Sequence, residues 1–230
     1  MIGAINDQIT ANRRRFLVGI AAFVVFTGLV GAILGGGSGV IGGAVIGVVV
    51  AAAAYFFSDR IALAAAKARP ADPVDHARLH NVVEGLCVAA GLPKPALYVV
   101  AEPAPNALSV GRNPKAASLV VTTGLLDGMT RVELEGVVAH ELAHIRNHDT
   151  LMTTTAVGLL FLRGLLSPRR ETLADVGGVR ITRYPPGLIS ALEKLRGGAD
   201  RRSGSWVTAH LWINAPHPTL DQRLAELRDL

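Results

Sequence analysis

The residues with the clearest chemical meaning are two histidines and a glutamate in the pattern His-Glu-x-x-His, at His140, Glu141 and His144. Side chains four positions apart lie on the same face of an α-helix, so both imidazoles can bind one metal ion. Glu141 follows the first histidine and can accept a proton from water at that ion. The pattern is typical of zinc hydrolases, and it predicts one Zn²⁺ ion bound by His140 and His144.

A catalytic zinc site usually has three protein ligands, so a third residue is required. His148 continues the four-residue spacing, but it lies about 12 Å from His140 along a straight helix, too far for a shared ion. We interpret it as a helix-end histidine. Glu171 is the better candidate because a third ligand is needed, although taken alone, beside Arg169 and Arg170, it fits a solvated charge cluster better than a ligand. Asp175, one turn later, would then accept a hydrogen bond from a ligand histidine.

The composition is unusually apolar for a soluble domain. Of the 230 residues, 50% are hydrophobic and 18% are charged, which favours membrane segments. The single cysteine, Cys87, cannot form an internal disulfide and lies in an apolar helical stretch, so we expect it in the core. The formal net charge is +5, but no basic stripe is interleaved with aromatic residues. We therefore expect the lipid bilayer, and no nucleic acid, as a partner.

Two uncharged stretches near the amino terminus are long enough to cross a bilayer. Residues 16–34 and 40–57 each span about 30 Å as a helix, and the glycine-rich residues 35–39 predict a turn between them. Basic residues flank both outer ends, which places those ends in the cytoplasm. The alternative, a cleaved signal peptide, is disfavoured by the length of the first stretch and by the second stretch that follows. We predict a transmembrane hairpin over residues 1–58.

The remaining residues, 59–230, have the pattern of a cytoplasmic α+β domain that is mostly helical. Thr130, with Glu133 three residues later, marks the start of the motif helix by a capping-box pattern. Apolar periodicity and turn residues place the other elements. These are a helix over 75–91, strands over 96–100, 105–112 and 117–123, and helices starting at 167, over 185–195 and over 218–230.

The apolar residues 151–166 place a topological constraint on the site. They are short for a membrane span. A single crossing would also put Glu171 on the opposite side of the bilayer from His140 and His144. We therefore predict a membrane-leaning helical connection that does not cross completely.

The run from Thr123 to Asp149 resembles the HtpX-like membrane metallopeptidases, a family that also includes proteases of the CAAX prenyl type. The amino-terminal hairpin agrees with this resemblance. So do three shorter motifs, which are Pro105-Asn106-Ala107 with Gly111-Arg112, the Glu-x-x-Ala-Asp pattern from Glu171 to Asp175, and His217-Pro218 with Arg223 and Leu224.

The resemblance implies a zincin-like domain with a small sheet packed on the motif helix. It also implies that Glu171 is the third zinc ligand, that Asn106 lies on a substrate-binding strand beside the cleft, and that His217 is a catalytic histidine near the reacting carbonyl. The implied activity is that of a zinc-dependent endopeptidase of the bacterial inner membrane. Its substrates would be unfolded or damaged polypeptides, membrane proteins among them, and Glu141 would activate water at the zinc ion.

The chain departs from the family pattern after the motif helix. Similar proteins place two membrane spans between this helix and the glutamate ligand, whereas here 26 residues separate His144 from Glu171. The second hairpin is thus reduced to residues 151–166. An alternative function is a catalytically weakened membrane adaptor that keeps the fold and binds exposed peptide segments.

Overall fold

The computed structural model of the chain describes residues 2–166, 169–197, 210–213 and 219–229. Within these ranges the fold is α+β and mostly helical, as predicted. The helices are α1 (Ile2–Ala65), α2 (Ala77–Ala90), α3 (Thr123–Gly128), α4 (Arg131–Arg146), α5 (Asp149–Gly158), α6 (Arg169–Thr182), α7 (Pro185–Gly197) and α8 (Leu220–Arg228), with 3-10 helices at Pro114–Ala116 and Leu160–Leu165. The strands are β1 (Arg69–Pro70), β2 (Ala96–Val100), β3 (Ala107–Gly111) and β4 (Ala117–Thr122).

Helix α1 is a hairpin of two arms, residues 2–34 and 37–65. Gly35 and Gly36 leave helical geometry, and Gly36 has a positive φ of 59°, which glycine adopts without steric cost. The arms touch through their backbones, since a Cβ atom at Gly31 would lie 2.0 Å from the carbonyl oxygen of Gly39. The hairpin therefore requires small residues where its arms meet. The predicted turn over residues 35–39 was too long, because Gly37 is already helical.

The surface of α1 is apolar and open. The stretch Ile9–Ala65 is long and apolar enough to cross a membrane, with a mean hydropathy of 2.6 over its best window. Large apolar side chains such as Ile33 and Leu34 are more than 80% exposed. Exposed apolar surface of this extent is unfavourable in water and matches a lipid environment.

The sheet has the strand order β1-β2-β4-β3. Strands β2 and β4 are parallel, whereas β1 and β3 pair antiparallel with their neighbours. The three strands predicted from sequence are present, and the two-residue β1 was not predicted. Strand β3 lies at the sheet edge, where Leu108 forms a bridge with Trp212.

Helix α4 lies in the centre of the larger core. It starts with the predicted capping box, in which Thr130 bonds to the backbone of Glu133 and Glu133 bonds back. Helix α6 packs closely on it, because Gly178 has no side chain, and a Cβ atom there would lie 2.8 Å from the amide nitrogen of His140. This close approach lets carboxylates on α6 reach the histidines of α4.

The connection between α4 and α6 is helical and folds back along the hairpin. Helix α5 and the 3-10 helix Leu160–Leu165 both pack against α1, and a Cβ atom at Gly158 would lie 2.8 Å from the Oγ atom of Ser58. The carboxyl end of α1 also covers one face of the sheet, through Ala62 and Ala66. Helix α1 runs to Ala65, so no helix boundary falls at 58, and the division into residues 1–58 and 59–230 stays a prediction.

Candidate metal centre

Three buried side chains meet at one point between α4 and α6. The Nε2 atoms of His140 and His144 are 3.2 Å apart. The Glu171 carboxylate lies 3.5 Å from the first nitrogen, through Oε2, and 3.6 Å from the second, through Oε1. The residues predicted to bind a metal ion are therefore close enough to share one.

The spacing fits a tetrahedral metal. Ligand bonds of about 2.0–2.1 Å at tetrahedral angles separate neighbouring ligand atoms by about 3.3 Å, close to the observed distances. The Oε2 atom of Glu171 is buried and has no hydrogen-bond donor within the described part of the chain, and Nη1 of Arg223 lies 3.5 Å from it. The guanidinium offsets part of the negative charge, and a bound metal ion would supply the direct contact that this oxygen lacks. Carboxylate oxygen and imidazole nitrogen are ligands that suit zinc.

The outer nitrogen of His140 is held from α6 and α8. Its Nδ1 atom lies 2.8 Å from Oδ1 of Asp175, so the ring donates its proton there and keeps the Nε2 lone pair for the metal. Arg223 binds the same carboxylate through two hydrogen bonds, Nε to Oδ2 at 2.7 Å and Nη2 to Oδ1 at 2.6 Å. Both residues are at least 98% buried, and Arg223 also donates to the carbonyl oxygen of Ile213.

The outer nitrogen of His144 is held from α5 and α1. Its Nδ1 atom lies 3.0 Å from Oδ2 of Asp149, the first residue of α5. The other carboxylate oxygen of Asp149 accepts a hydrogen bond from Nδ2 of Asn12, on the first arm of the hairpin. Both ligand histidines thus donate to an aspartate, and both aspartates are fixed by a further side chain.

The electrostatics of the metal-free site favour a positive charge. Burial alone lowers the pKa of His144, but the carboxylates of Glu171 and Asp149 raise it to about 10. Burial raises the pKa of Glu171, but His144 and Arg170 bring it well below its usual value. A proton on His144 or a bound metal ion can neutralise this excess of negative charge, and the two compete for the imidazole nitrogen.

Glu141 points into the region of strand β3. Its Oε2 atom accepts a hydrogen bond of 2.6 Å from the Ser109 hydroxyl, and both residues are buried. One carboxylate oxygen of Glu141 is thus held by a hydroxyl group of the sheet.

Glu171 lies near the start of α6 and is 4% exposed, so the solvated-cluster interpretation was wrong for its environment. Arg170 is also buried, and its Nε atom lies 3.2 Å from Oε1 of Glu171. The same guanidinium donates to the carbonyl oxygen of His210 at 2.8 Å. Arg170 therefore links the third candidate ligand to the segment that runs beside β3.

The other candidate residues lie apart from this cluster. Asn106 is fully buried at the start of β3, where its Oδ1 atom accepts from the amide of Ala107, so its substrate role stays a prediction. His148 has left-handed geometry between α4 and α5 and is not in the three-residue ligand cluster found among the described residues. His217 falls outside the described residues.

Five contributors to the site were not assigned a role from sequence: Asp149, Arg170, Ser109, Asn12 and Arg223. Asp149 begins the helix after the motif helix and is the easiest to find, because aspartate often supports a metal-bound histidine. Arg223 belongs to a motif shared with the family, but its partner, like those of Ser109 and Asn12, is distant in sequence.

Comparison with known proteins agrees with this architecture. Residues 73–167, which include His140 and His144, match the model of peptidase family M48. The Protease HtpX homolog of Caldanaerobacter subterraneus is 38% identical, over 84% of this chain and 85% of the relative. The homologs of Dictyoglomus thermophilum and Pyrococcus furiosus are both 33% identical, over 96% and 87% of this chain and 93% and 90% of their own lengths.

The alignments also bear on the short connection after α4. The first of them spans 255 positions but covers 84% of the 230 residues here, so roughly sixty aligned positions have no residue in this chain. That number agrees with a shortened second hairpin between His144 and Glu171. With relatives above 30% identity over most of both chains, and the buried His-Glu-x-x-His centre at its core, the chain belongs to peptidase family M48 as an HtpX-like protease.

Proposed function

We propose that this protein is a zinc-dependent endopeptidase that hydrolyses peptide bonds of unfolded or damaged polypeptides at a membrane. The observation that carries the proposal is the placement of His140, His144 and Glu171 around one point, with the Glu141 carboxylate on the same helix. This combination of two neutral ligands, one anionic ligand and a nearby base is what metal-assisted hydrolysis requires.

His140, His144 and Glu171 are the residues that would hold the zinc ion. When bound, zinc supplies Lewis-acid polarisation of the scissile carbonyl and lowers the pKa of water. Glu141 accepts the proton of the attacking water on Oε1 and later donates it to the amine of the leaving peptide. Ser109 keeps the carboxylate in one orientation, which reduces the cost of aligning it for each transfer. His217 is proposed to stabilise the oxyanion.

The substrate is proposed to bind as an extended peptide at the Ser109 position of β3, between two edge positions that are bonded within the protein. The carbonyl oxygen of Ala107 and the amide of Gly111 both point outwards from the sheet, to Ile213 and to Thr154 respectively. Strand residues two apart share an edge, so the main chain of Ser109 faces outwards too, beside Glu141. Main-chain pairing at Ser109 would favour unfolded segments over folded ones.

The membrane location is proposed from the open apolar hairpin and its basic flanks. Arg13, Arg14 and Arg15 precede the first apolar stretch, and Arg60 and Lys67 follow the second. This distribution supports a multi-pass plasma-membrane protein with both hairpin ends and the metal centre in the cytoplasm. Membrane proteins with exposed cytoplasmic segments are then the most accessible substrates.

The decisive experiment replaces the proposed base. Full-length wild type and Glu141→Gln are purified in detergent, and zinc content and cleavage of casein are measured. We expect zinc binding in both proteins and at least a 100-fold loss of cleavage in the variant. The matched control is Glu135→Gln, since Glu135 is on the same helix and bonds to the exposed Arg131. A wild type without zinc, or with cleavage equal to that of Glu141→Gln, would contradict the proposal.

A further inference from the structure

The first arm of the hairpin carries a buried asparagine, Asn12, next to exposed residues. Asn12 is 6% exposed, although it directly precedes three exposed arginines, Arg13 to Arg15. A buried amide must be hydrogen-bonded to offset its desolvation. The position of Asn12 before the first membrane stretch does not explain its burial. Its hydrogen-bond partner does.

The partner of Asn12 is the support of a candidate metal ligand. The Nδ2 atom of Asn12 donates to Oδ1 of Asp149, 137 positions later in the chain. The second oxygen of Asp149 receives the Nδ1 proton of His144 at 3.0 Å. Asp149 is 3% exposed, so this carboxylate is bonded inside the protein on both sides.

We propose that Asn12 is a positioning residue for the metal centre, acting through Asp149 on His144. The first arm of the hairpin is then part of the catalytic apparatus as well as a membrane anchor. This inference rests on the proposed metal-dependent function. Its physical basis is that a carboxylate with one oxygen fixed cannot rotate freely, so the other oxygen holds the imidazole in one tautomer and one orientation.

The hairpin supports one of the two candidate ligand histidines. Helix α5, which begins at Asp149, packs along α1, so a displacement of the first arm moves the residue that holds His144. On the other side of the site, His140 depends on Asp175 and Arg223, which belong to α6 and α8. Loss of the Asn12 bond should therefore affect one ligand of the metal and leave the other in place.

The test uses full-length protein in detergent and a variant that keeps the packing. Asn12→Leu keeps the branched shape of the side chain but removes the donor, and Asn12→Ala is the second variant. Zinc affinity is measured by competition with a chromogenic chelator, together with kcat and KM for a peptide substrate. We expect zinc affinity to fall about tenfold and kcat to fall with little change in KM. Thr10→Ala, an exposed position on the same arm, serves as the control.

A double-mutant comparison separates positioning from general stabilisation. If Asn12 acts through Asp149, then adding Asn12→Leu to Asp149→Ala should weaken zinc binding no further. An additive loss in the double variant would overturn the inference, as would unchanged zinc affinity in both Asn12 variants. A melting temperature that falls without a change in zinc affinity would also overturn it. A wild type that binds no zinc would instead contradict the proposed function itself.

Discussion

The two histidines of the metal centre are supported in the same way but by different regions of the protein. His140 donates to Asp175, which Arg223 of α8 binds with two hydrogen bonds. His144 donates to Asp149, which a neutral amide on the hairpin binds with one. We refer to these as the His140 side and the His144 side of the site. They differ in charge balance and in the part of the fold on which they depend.

This difference explains the electrostatics of the centre. On the His140 side, a buried guanidinium balances the buried carboxylate, and Asp175 in turn raises the pKa of Arg223 after the opposing effect of burial. On the His144 side, the amide carries no charge, so Asp149 adds to the negative potential of Glu171 and raises the pKa of His144. The first side should therefore determine folding stability, and the second should determine the affinity for protons and metal.

The largest effect is expected from breaking the ion pair of the His140 side. Arg223→Met removes the cation and leaves the Asp175 carboxylate buried without a charge partner, which costs about 3–5 kcal/mol. We expect a strongly lowered melting temperature in detergent and loss of zinc binding. Arg228→Met on the same helix is the control, since Arg228 pairs with Glu193 at the surface, and such pairs contribute about 0–1 kcal/mol. Equal melting temperatures for the two variants would contradict the assigned roles.

A second test uses pH to probe the His144 side. The pKa of His144 in the metal-free site is about 10, above the unfolded value of about 6.5. Because the folded form binds the proton more tightly, this stabilisation is fully present below pH 6.5 and is lost as the pH rises through about 10. Metal affinity should change in the opposite direction over the same window, because zinc must displace the proton.

The measurement is the melting temperature of the chelator-treated protein and the zinc affinity, from pH 6.5 to pH 9.5. Asp149→Asn removes one of the two carboxylates that raise the pKa of His144, so both pH dependences should become shallower. An Asp149→Asn variant with the same two pH dependences as the wild type would show that Asp149 does not set the potential at His144.

A third test compares the two aspartates directly. Asp149→Asn keeps an oxygen that can accept from His144 but removes the charge, so we expect a loss of about 10- to 100-fold in zinc affinity, with a smaller loss of stability than in Asp175→Asn. Asp175→Asn should lose zinc affinity and stability together, because it leaves the Arg223 guanidinium buried beside a neutral partner. Thermal melting of the metal-free proteins and chelator competition distinguish these outcomes. Identical behaviour of the two variants would remove the distinction between the sides.

The sequence was sufficient to predict the features that depend on local spacing. The two histidines and the glutamate of α4, the capping box at Thr130, three of the four strands and the apolar hairpin all follow from patterns within about twenty residues. The third candidate ligand, Glu171, required the resemblance to a family, because nothing within its own helix distinguishes it from a surface acid. In the structure its carboxylate lies within 3.6 Å of both histidine nitrogens.

Of the residues that orient the site, Asp175 was predicted from the sequence, whereas Ser109, Asn12 and Arg223 were not, because each depends on contacts between distant segments. Ser109 is an ordinary polar residue in an edge strand until β3 packs on α4. Asn12 and Asp149 meet only after α5 folds back along the hairpin. The close approach of α6 to α4 depends on Gly178, because a side chain at that position would clash with the backbone of His140.

The smallest effect is expected at Glu133, which stabilises the start of α4, the helix that carries both histidines. Glu133 closes the capping box of α4 and bonds to Ser190 and Lys194 of α7. Burial raises its pKa, but hydrogen bonds from Lys194 and Ser190 lower it to about 2. Its stabilisation is therefore present above the unfolded value of about 4.5 and is lost as the pH falls towards 2.

Glu133→Gln can still complete the capping box, since glutamine is accepted at that position, but it cannot pair with the Lys194 ammonium. We expect a loss of about 1 kcal/mol at pH 7 that disappears near pH 2, and about 1 kcal/mol more for Glu133→Ala, which also loses the hydrogen bond from the Thr130 amide to the side chain at position 133. Because α4 carries both histidines, zinc affinity and its pH dependence should match the wild type in Glu133→Gln. A selective change in zinc affinity would mean that the start of α4 is coupled to one ligand more than to the other.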